Sequence, residues 1–472
     1  MSLFGTKKIA TFAPPKDARK GGGTYLPGEL KGIIKINTEK CVACDTCRPH
    51  CPAEAINGKL GEPHVIDVDR CIACGQCLVN CPFQAIEQMT QLDEVSAKLR
   101  DPNTLVVFAP APAVRVALAE EFGGKTGELT VGRMYNAFKK LGNNVKIYDI
   151  NLAADQTIWE EGMEFICKVL YHVVGLKEWE IDEETAKALG IEPVTINLEW
   201  CEHHPLPHFT SCCPGWIRWM ELYAPAVRPH VSGTKSPQQI FGPSAKTWAA
   251  LKVWKVDPRN VYNVTIMPCT AKIFEASRPE FKSAYKYLKE HGIIPEETPE
   301  FPDVDAVLTT RDMAELLRKN GINPLEMPEE IENPEPTEIY TGGGTIFGTS
   351  GGVTEAALRM AYFVLSGQEP PKWDIYPVRG YTTGIRETVI PIPVKLLGGK
   401  TFDLHVCVVN GTRNHLPQIV NEVLEAKSKF HWIEVMNCPG GCVDGGGQPV
   451  NGMGTGWIDG LFPIPNEVWK SV

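Results

Sequence analysis

A chain of 472 residues is long enough for roughly three domains, and its 43% hydrophobic content is ordinary for a globular protein. Forty-seven basic against fifty-seven acidic residues leave a net charge of −10, which argues against a nucleic-acid binder, whose footprint is basic. Sixteen cysteines in a chain this large, with nothing to indicate secretion, point to metal-bound thiolate rather than a disulfide framework.

In chain order, residues 1–33 read as an N-terminal extension. Its start, "MSLFGTKKIATFAPPKDARKGGG", has no continuous apolar core of signal-peptide length. The expected compartment is therefore the cytoplasm, or the periplasm if the chain is exported with a signal-bearing partner. No stretch approaches about 18 apolar residues without a charge, so no transmembrane segment is expected.

Residues 34–95 carry two cysteine runs, "CVACDTCRPHCP" at 41–52 and "CIACGQCLVNCP" at 71–82, thirty residues apart. Each is C-x2-C-x2-C-x3-C-P, in which three close thiolates wrap one corner of an iron–sulfur cube and the fourth ligates the other cube. One 4Fe-4S cluster is thus assigned to Cys41, Cys44, Cys47 and Cys81, the second to Cys71, Cys74, Cys77 and Cys51. Structural zinc usually takes separated cysteine pairs and fits this doubled spacing poorly. The module reads as an electron relay.

From residue 100 onward, short apolar runs alternate with longer amphipathic ones. "TLVVFAP" (104–110) predicts a buried strand and "AVRVALAEEF" the helix after it; "NNVKIYDI" and "TIWEEGMEFICKVLYHVV" repeat the pattern. "VYNVTIMP" leads to Cys269 and "FHWIEVMN" to Cys438. Strand, loop and helix in alternation predict α/β lobes with largely parallel sheets, whose chemistry lies beyond the strands' carboxyl ends. Cys213, Cys269, Cys438 and Cys442 fall in or beside such loops, and on count alone they suit a third iron–sulfur cluster or a tetrahedral zinc. Cys212 is the immediate neighbour of Cys213, and adjacent residues on extended chain point different ways, so the two thiols cannot share one task.

"TSCCPGW" (210–216), "MPCTAKIFE" (267–275) and "EVMNCPGGCVDGGGQP" (434–449) resemble the three signature segments of the iron-only (FeFe) hydrogenases. "APAPAVR" (109–115), "KSPQQ" (235–239) and "IFGTSGGVTEAALR" (346–359) match the same family. The resemblance implies an α+β ferredoxin-like 2x(4Fe-4S) domain followed by a two-lobed α/β catalytic domain over 100–472, with an insertion at about 173–205. It implies reversible oxidation of H2 to protons and electrons at an H-cluster, a 4Fe-4S cube bridged to a two-iron subsite carrying CO, CN and dithiolate ligands. Cys213, Cys269, Cys438 and Cys442 would hold the cube, with Cys442 as the bridge. Cys212 would be the proton donor, and Glu161, Glu164 and Ser232 the proton route behind it. Lys168 follows one turn later where relatives usually carry arginine, which leaves the outer exit open. Lys272 would face one cyanide, and the backbone of Pro112 and Ala113 with Ser236 the other. Gln238, Met267, Phe347 and Met436 would line the pocket, with Glu275 pairing to a motif lysine or arginine.

Cys407 and Cys167 read as core residues, and Cys201 with His203 and His204 as a loop group with a minor prospect of binding metal. The chain ends with residues 450–472 where single-chain relatives continue into a long belt, so the belt is either dispensable or supplied by a small belt-type or iron–sulfur subunit. Further expected partners are an electron carrier such as ferredoxin or a cytochrome, or a formate dehydrogenase assembly, together with maturation proteins. Two other readings of the same resemblance are a non-catalytic iron–sulfur assembly factor and a sensory relative; the presence of Cys212 and Lys272 argues against the first.

Overall fold

The computed structural model describes residues 32–371, 378–379, 384–395 and 398–450. The extension before residue 32 and the tail after residue 450, with the expectations attached to them, lie outside these.

Two short antiparallel pairs frame the cysteine-rich module: β1 (Ile34–Ile36) with β4 (Ile86–Gln88), and β2 (Ile56–Asn57) with β3 (Val65–Ile66). The thirty-residue sequence repeat is also a backbone repeat. Left-handed φ occurs at Ala43 and Ala73, at Asp45 and Gly75, and at Glu54 and Gln84. The amides of Ala55 and Ala85 donate to the sulfurs of Cys51 and Cys81 at 3.2 and 3.4 Å. Each run is bent identically because its cysteines must converge, and that costs left-handed backbone even at residues bearing a Cβ.

Next, β5 (Leu105–Pro110), β6 (Val145–Ile147), β10 (Val261–Met267) and β11 (Ala306–Thr309) form an all-parallel sheet in the order β11-β10-β5-β6. Every residue of β10 and β11 is buried, as a sheet covered on both faces requires. The hairpin β7 (Glu178–Ile181) and β8 (Val194–Asn197) occupies the insertion and sends Trp179 and Ile181 into a second core. The second main sheet, in the order β12-β13-β14-β9, comprises β9 (His208–Phe209), β12 (Gly384–Val394), β13 (Lys400–Asn410) and β14 (Trp432–Met436). Here β13, β14 and β9 run parallel, but β12 pairs antiparallel with β13, so this sheet is mixed. The helix Ile150–Val169 joins the two halves: Ile150 and Ala153 belong to the first core, Phe165, Ile166 and Val169 to the second.

One predicted helix is not there. Residues 114–122 form two 3₁₀ turns, Val114–Val116 and Leu118–Phe122. An α-helix would give the Arg115 carbonyl to the amide four residues on. Instead it accepts from the amide and hydroxyl of Thr130, at 2.9 and 3.0 Å. The Arg115 guanidinium is likewise committed inward, to Asp149 and to the carbonyl of Pro112.

Candidate active site

In the module, Cys41, Cys44, Cys47 and Cys81 line one small cavity with Val42, Phe83 and Ile86, and Cys44 is exposed. Burial raises the thiols of Cys71, Cys74 and Cys77, Cys71 to about 11, and each also feels the charge of Cys51. The structure thus brings together three thiols of each run with the fourth of the other.

The second quartet abuts the catalytic domain. Thr270 Oγ1 donates to the Ala73 carbonyl at 2.6 Å, Arg218 Nε to that of Cys71 at 3.1 Å, and Gln76 Nε2 to that of Asp444 at 2.8 Å. Gly75 and Gly446 meet back to back: a Cβ on Gly75 would stand 2.7 Å from Thr270 Oγ1 and 3.0 Å from the Cα of Gly446.

Loops leaving the carboxyl ends of β9, β10 and β14 line a cavity of about 80 Å³. Five thiols reach it: Cys212, Cys213, Cys269, Cys438 and Cys442. Cys213 is the N-cap of the helix Pro214–Tyr223, where the dipole favours a thiolate, and it accepts weakly from the Asn437 amide at 3.5 Å. Gly441, at φ 81°, makes the turn between Cys438 and Cys442 and passes so close to the Ser350 amide that no side chain fits. The remaining wall is mainly apolar, with Pro112, Met267, Phe347 and Met436 on it and Gln238 and Lys272 as polar members. Ala113 and Ser236 do not line the cavity. Ala113 is fully buried and its carbonyl accepts from Gln448, while Ser236 stands behind Lys272.

Burial pushes every one of these thiols up, Cys269 and Cys442 to about 12 and Cys212 and Cys438 well beyond the ordinary range. Bare thiolates would be costly there, and bound metal supplies the missing positive charge. A single tetrahedral zinc would draw four sulfurs to about 2.3 Å from one point. These four residues instead line a cavity of about 80 Å³.

Lys272 Nζ donates to Glu275 at 2.8 Å, to Ser236 Oγ at 3.1 Å and to the Cys212 carbonyl at 3.2 Å. Burial acts to lower its pKa, but the adjacent Glu275 outweighs that and the net shift is upward. Gln238 completes the arrangement, donating to Glu275 at 2.9 Å and to the Lys272 carbonyl at 3.1 Å.

Glu161 and Glu164 share one face of the Ile150–Val169 helix. Glu161 is buried and accepts from the Ser211 amide at 3.2 Å, one residue from Cys212. Glu164 accepts from Ser232 Oγ at 2.8 Å, the Gly233 amide at 3.0 Å and Thr234 Oγ1 at 3.3 Å. Burial would raise the Glu164 pKa, yet the Lys168 ammonium and the Ser232 hydroxyl beside it act to bring it down. Ser211, Ser232, Gly233 and Thr234 border a groove of about 730 Å³. Lys168, whose place at the outer exit the sequence leaves open, is wholly buried. It donates to Glu164 at 2.9 Å and to His208 Nδ1 at 3.0 Å.

His208 had no place in the motif reading; its only sequence signal is a histidine in the apolar strand leading into "TSCC". Cys167, Cys201 and Cys407 are all core residues. His172 Nε2 bonds the carbonyls of Cys201 and His204, and His203 and His204 border the groove.

Residues 104–446 match the family described as iron only hydrogenase large subunit, C-terminal domain, and residues 40–86 match the 4Fe-4S dicluster domain. The chain is 43% identical to a periplasmic Fe hydrogenase large subunit of Nitratidesulfovibrio vulgaris, over 89% of this chain and 86% of that one. A solved FeFe-hydrogenase of Chlamydomonas reinhardtii superposes with a TM-score of 0.62 at 31% identity, covering 81% of this chain and 88% of that one. The cytosolic iron-sulfur assembly component 3 of Bos taurus is similar at 29% identity over 74% of this chain and 63% of that one.

Proposed function

The chain belongs to the iron-only hydrogenase large-subunit family, and on that premise we propose which residues hold its cofactors and carry its protons. It is an FeFe-hydrogenase catalytic subunit with two 4Fe-4S clusters and an H-cluster as cofactors. In this reading the module quartets hold the two relay clusters. Cys213, Cys269, Cys438 and Cys442 would hold the H-cluster. Five thiols on one apolar cavity, four at cluster positions and Cys212 left over, carry the assignment.

When bound, the H-cluster supplies the two-electron exchange and the making or breaking of the H–H bond. The chain's own residues supply shelter, charge and protons. Met267, Phe347 and Met436 restrict water at the cavity wall. Lys272, anchored by Glu275, offers a compact cation to an anionic ligand such as cyanide. Cys212 Sγ holds a proton, since burial and the nearby Glu161 disfavour its thiolate. Glu161 is the acceptor behind it, and the route continues to Glu164 and Ser232 and out through the groove.

The relative's designation as a large subunit supports a smaller partner for this chain, and its designation as periplasmic supports export with a signal-bearing partner. No helix among the described residues is long and apolar enough to cross a membrane. Electrons would pass between the module and a ferredoxin, a cytochrome or a formate-oxidising assembly.

The test is Cys212→Ala in anaerobically matured protein. Full iron content with H2 turnover reduced about 10²- to 10⁴-fold is expected for loss of a proton-transfer group. Undiminished turnover at full iron content would remove Cys212 from the reaction.

A further inference from the structure

His208 lies on β9, wholly buried, with its ring stacked on Trp432 at 5.0 Å and tilted against Phe165 at 5.7 Å. Its Nδ1 lies 3.0 Å from Lys168 Nζ and 3.9 Å from Glu164 Oε1. Its Nε2 lies 3.8 Å from Glu161 Oε1 and is the ring atom without a hydrogen-bond partner. A lysine ammonium has donors and no acceptor, so Nδ1 must be the accepting nitrogen. The ring proton is then on Nε2, aimed at the Glu161 carboxylate. A shift of about 1 Å would bring that pair to hydrogen-bond distance.

Resting on the proton route proposed above, we infer that His208 is a positioning residue: Lys168 fixes its tautomer, and its Nε2–H closes on Glu161 and holds that side chain in place behind Cys212. This explains why a cation wholly shut from solvent stands one helical turn beyond Glu164. Lys168 is no exit; it orients the imidazole and neutralises Glu164, while the groove beside Ser232 and Thr234 provides the way out. The charged and titratable groups around the ring are Glu161, Glu164 and Lys168 on the helix. Beyond them, Cys201 and His230 sense the Lys168 charge from the segments packed alongside. Burial and Lys168 both disfavour an imidazolium, which keeps the ring in the state this arrangement needs.

The test compares matured wild-type enzyme with His208→Leu, His208→Gln and Glu161→Gln. Losing a hydrogen bond to a charged group costs about ten- to a hundredfold, so His208→Leu should lower H2 turnover by that factor at full iron content. Its pH–rate limb should move alkaline, because a carboxylate deprived of a donor binds its proton more tightly. The infrared carboxyl band that disappears in Glu161→Gln should titrate at correspondingly higher pH in His208→Leu. His208→Gln, which keeps an N–H in the same direction, should restore most of the rate and the original limb. A wild-type rate and profile in His208→Leu would overturn the inference. So would equal losses in both His208 variants with no movement of limb or band, which would mean packing alone. If Glu161→Gln itself turns over normally, the proton route is what fails, and the inference that rests on it falls with it.

Discussion

Lys272 and Glu275 are each about one-tenth exposed, so neither charge can turn to water if the other is removed. Breaking a buried pair costs about 3–5 kcal/mol, whereas replacing both members is often close to neutral. Lys272→Met should therefore destabilise the folded protein by that amount, and adding Glu275→Gln should return stability to within about 1 kcal/mol of wild type. Turnover should stay low in the double variant, because the cation at the cavity is still missing. Anaerobic denaturation and H2 assays on the three proteins check both halves. Turnover that recovered along with stability would reduce Lys272 to a scaffold residue. At this scale the motif reading gave Glu275 a lysine or arginine of the motifs as partner, and Lys272 is that partner. The same reading missed His208 and left the part played by Lys168 open, because charges at helical spacing look like a solvated face until β9 and Trp432 cover them.

Between elements, module and catalytic domain meet at a glycine contact. A Cβ on Gly446 would collide with the Cys74 carbonyl and the backbone of Gly75, none of which is a flexible side-chain end. Gly446→Ala should push the second quartet away from the active-site cavity while leaving the cysteines of both free to bind iron. The expected result is a severalfold or greater loss of turnover driven by an external electron donor, with exchange between H2 and solvent deuterium retained, since exchange needs no electrons from the module. Equal loss of both would show that the substitution damages the active site directly. Elements whose order comes from local chemistry were the legible ones. The cysteine runs were read because cluster ligation dictates spacing, and β10 and β14 because buried parallel strands are apolar throughout. Segment 114–122 was misread because Thr130, fifteen residues on, takes the carbonyl that a helix needs. The antiparallel β12 went unread for a related reason: Pro391 and Pro393 mark its sequence as a poor strand, and only its edge position in the sheet tolerates them.

Across the whole molecule, electrons and protons are given separate ways in. On the proposed route, the proton side would run from Cys212 along the helix that joins the two cores to the groove beside Ser232. The electron side runs from the glycine contact through the second quartet to the first, where Cys44 is exposed. Around that first quartet the surface is unusually apolar for a charged protein: Val42, Leu60 and Phe83 are 55%, 75% and 49% exposed, and a hydrogen bond from Gly61 to Ala43 holds the Leu60 turn beside Val42. Apolar side chains left in water around an electron-transfer site cost solubility, and on the proposed electron route a partner would cover them. The partner this site suits is a protein electron carrier, which must bring its own centre close to the cavity of Cys41, Cys44, Cys47 and Cys81. Phe83→Glu should then lower kcat/KM for the protein carrier by about tenfold or more, the effect of losing one apolar anchor at an interface. Turnover with a small dye, which needs no docking surface, should be unaffected. A loss shared by dye and carrier would point to a damaged cluster, and no loss with either would place the carrier elsewhere on the molecule.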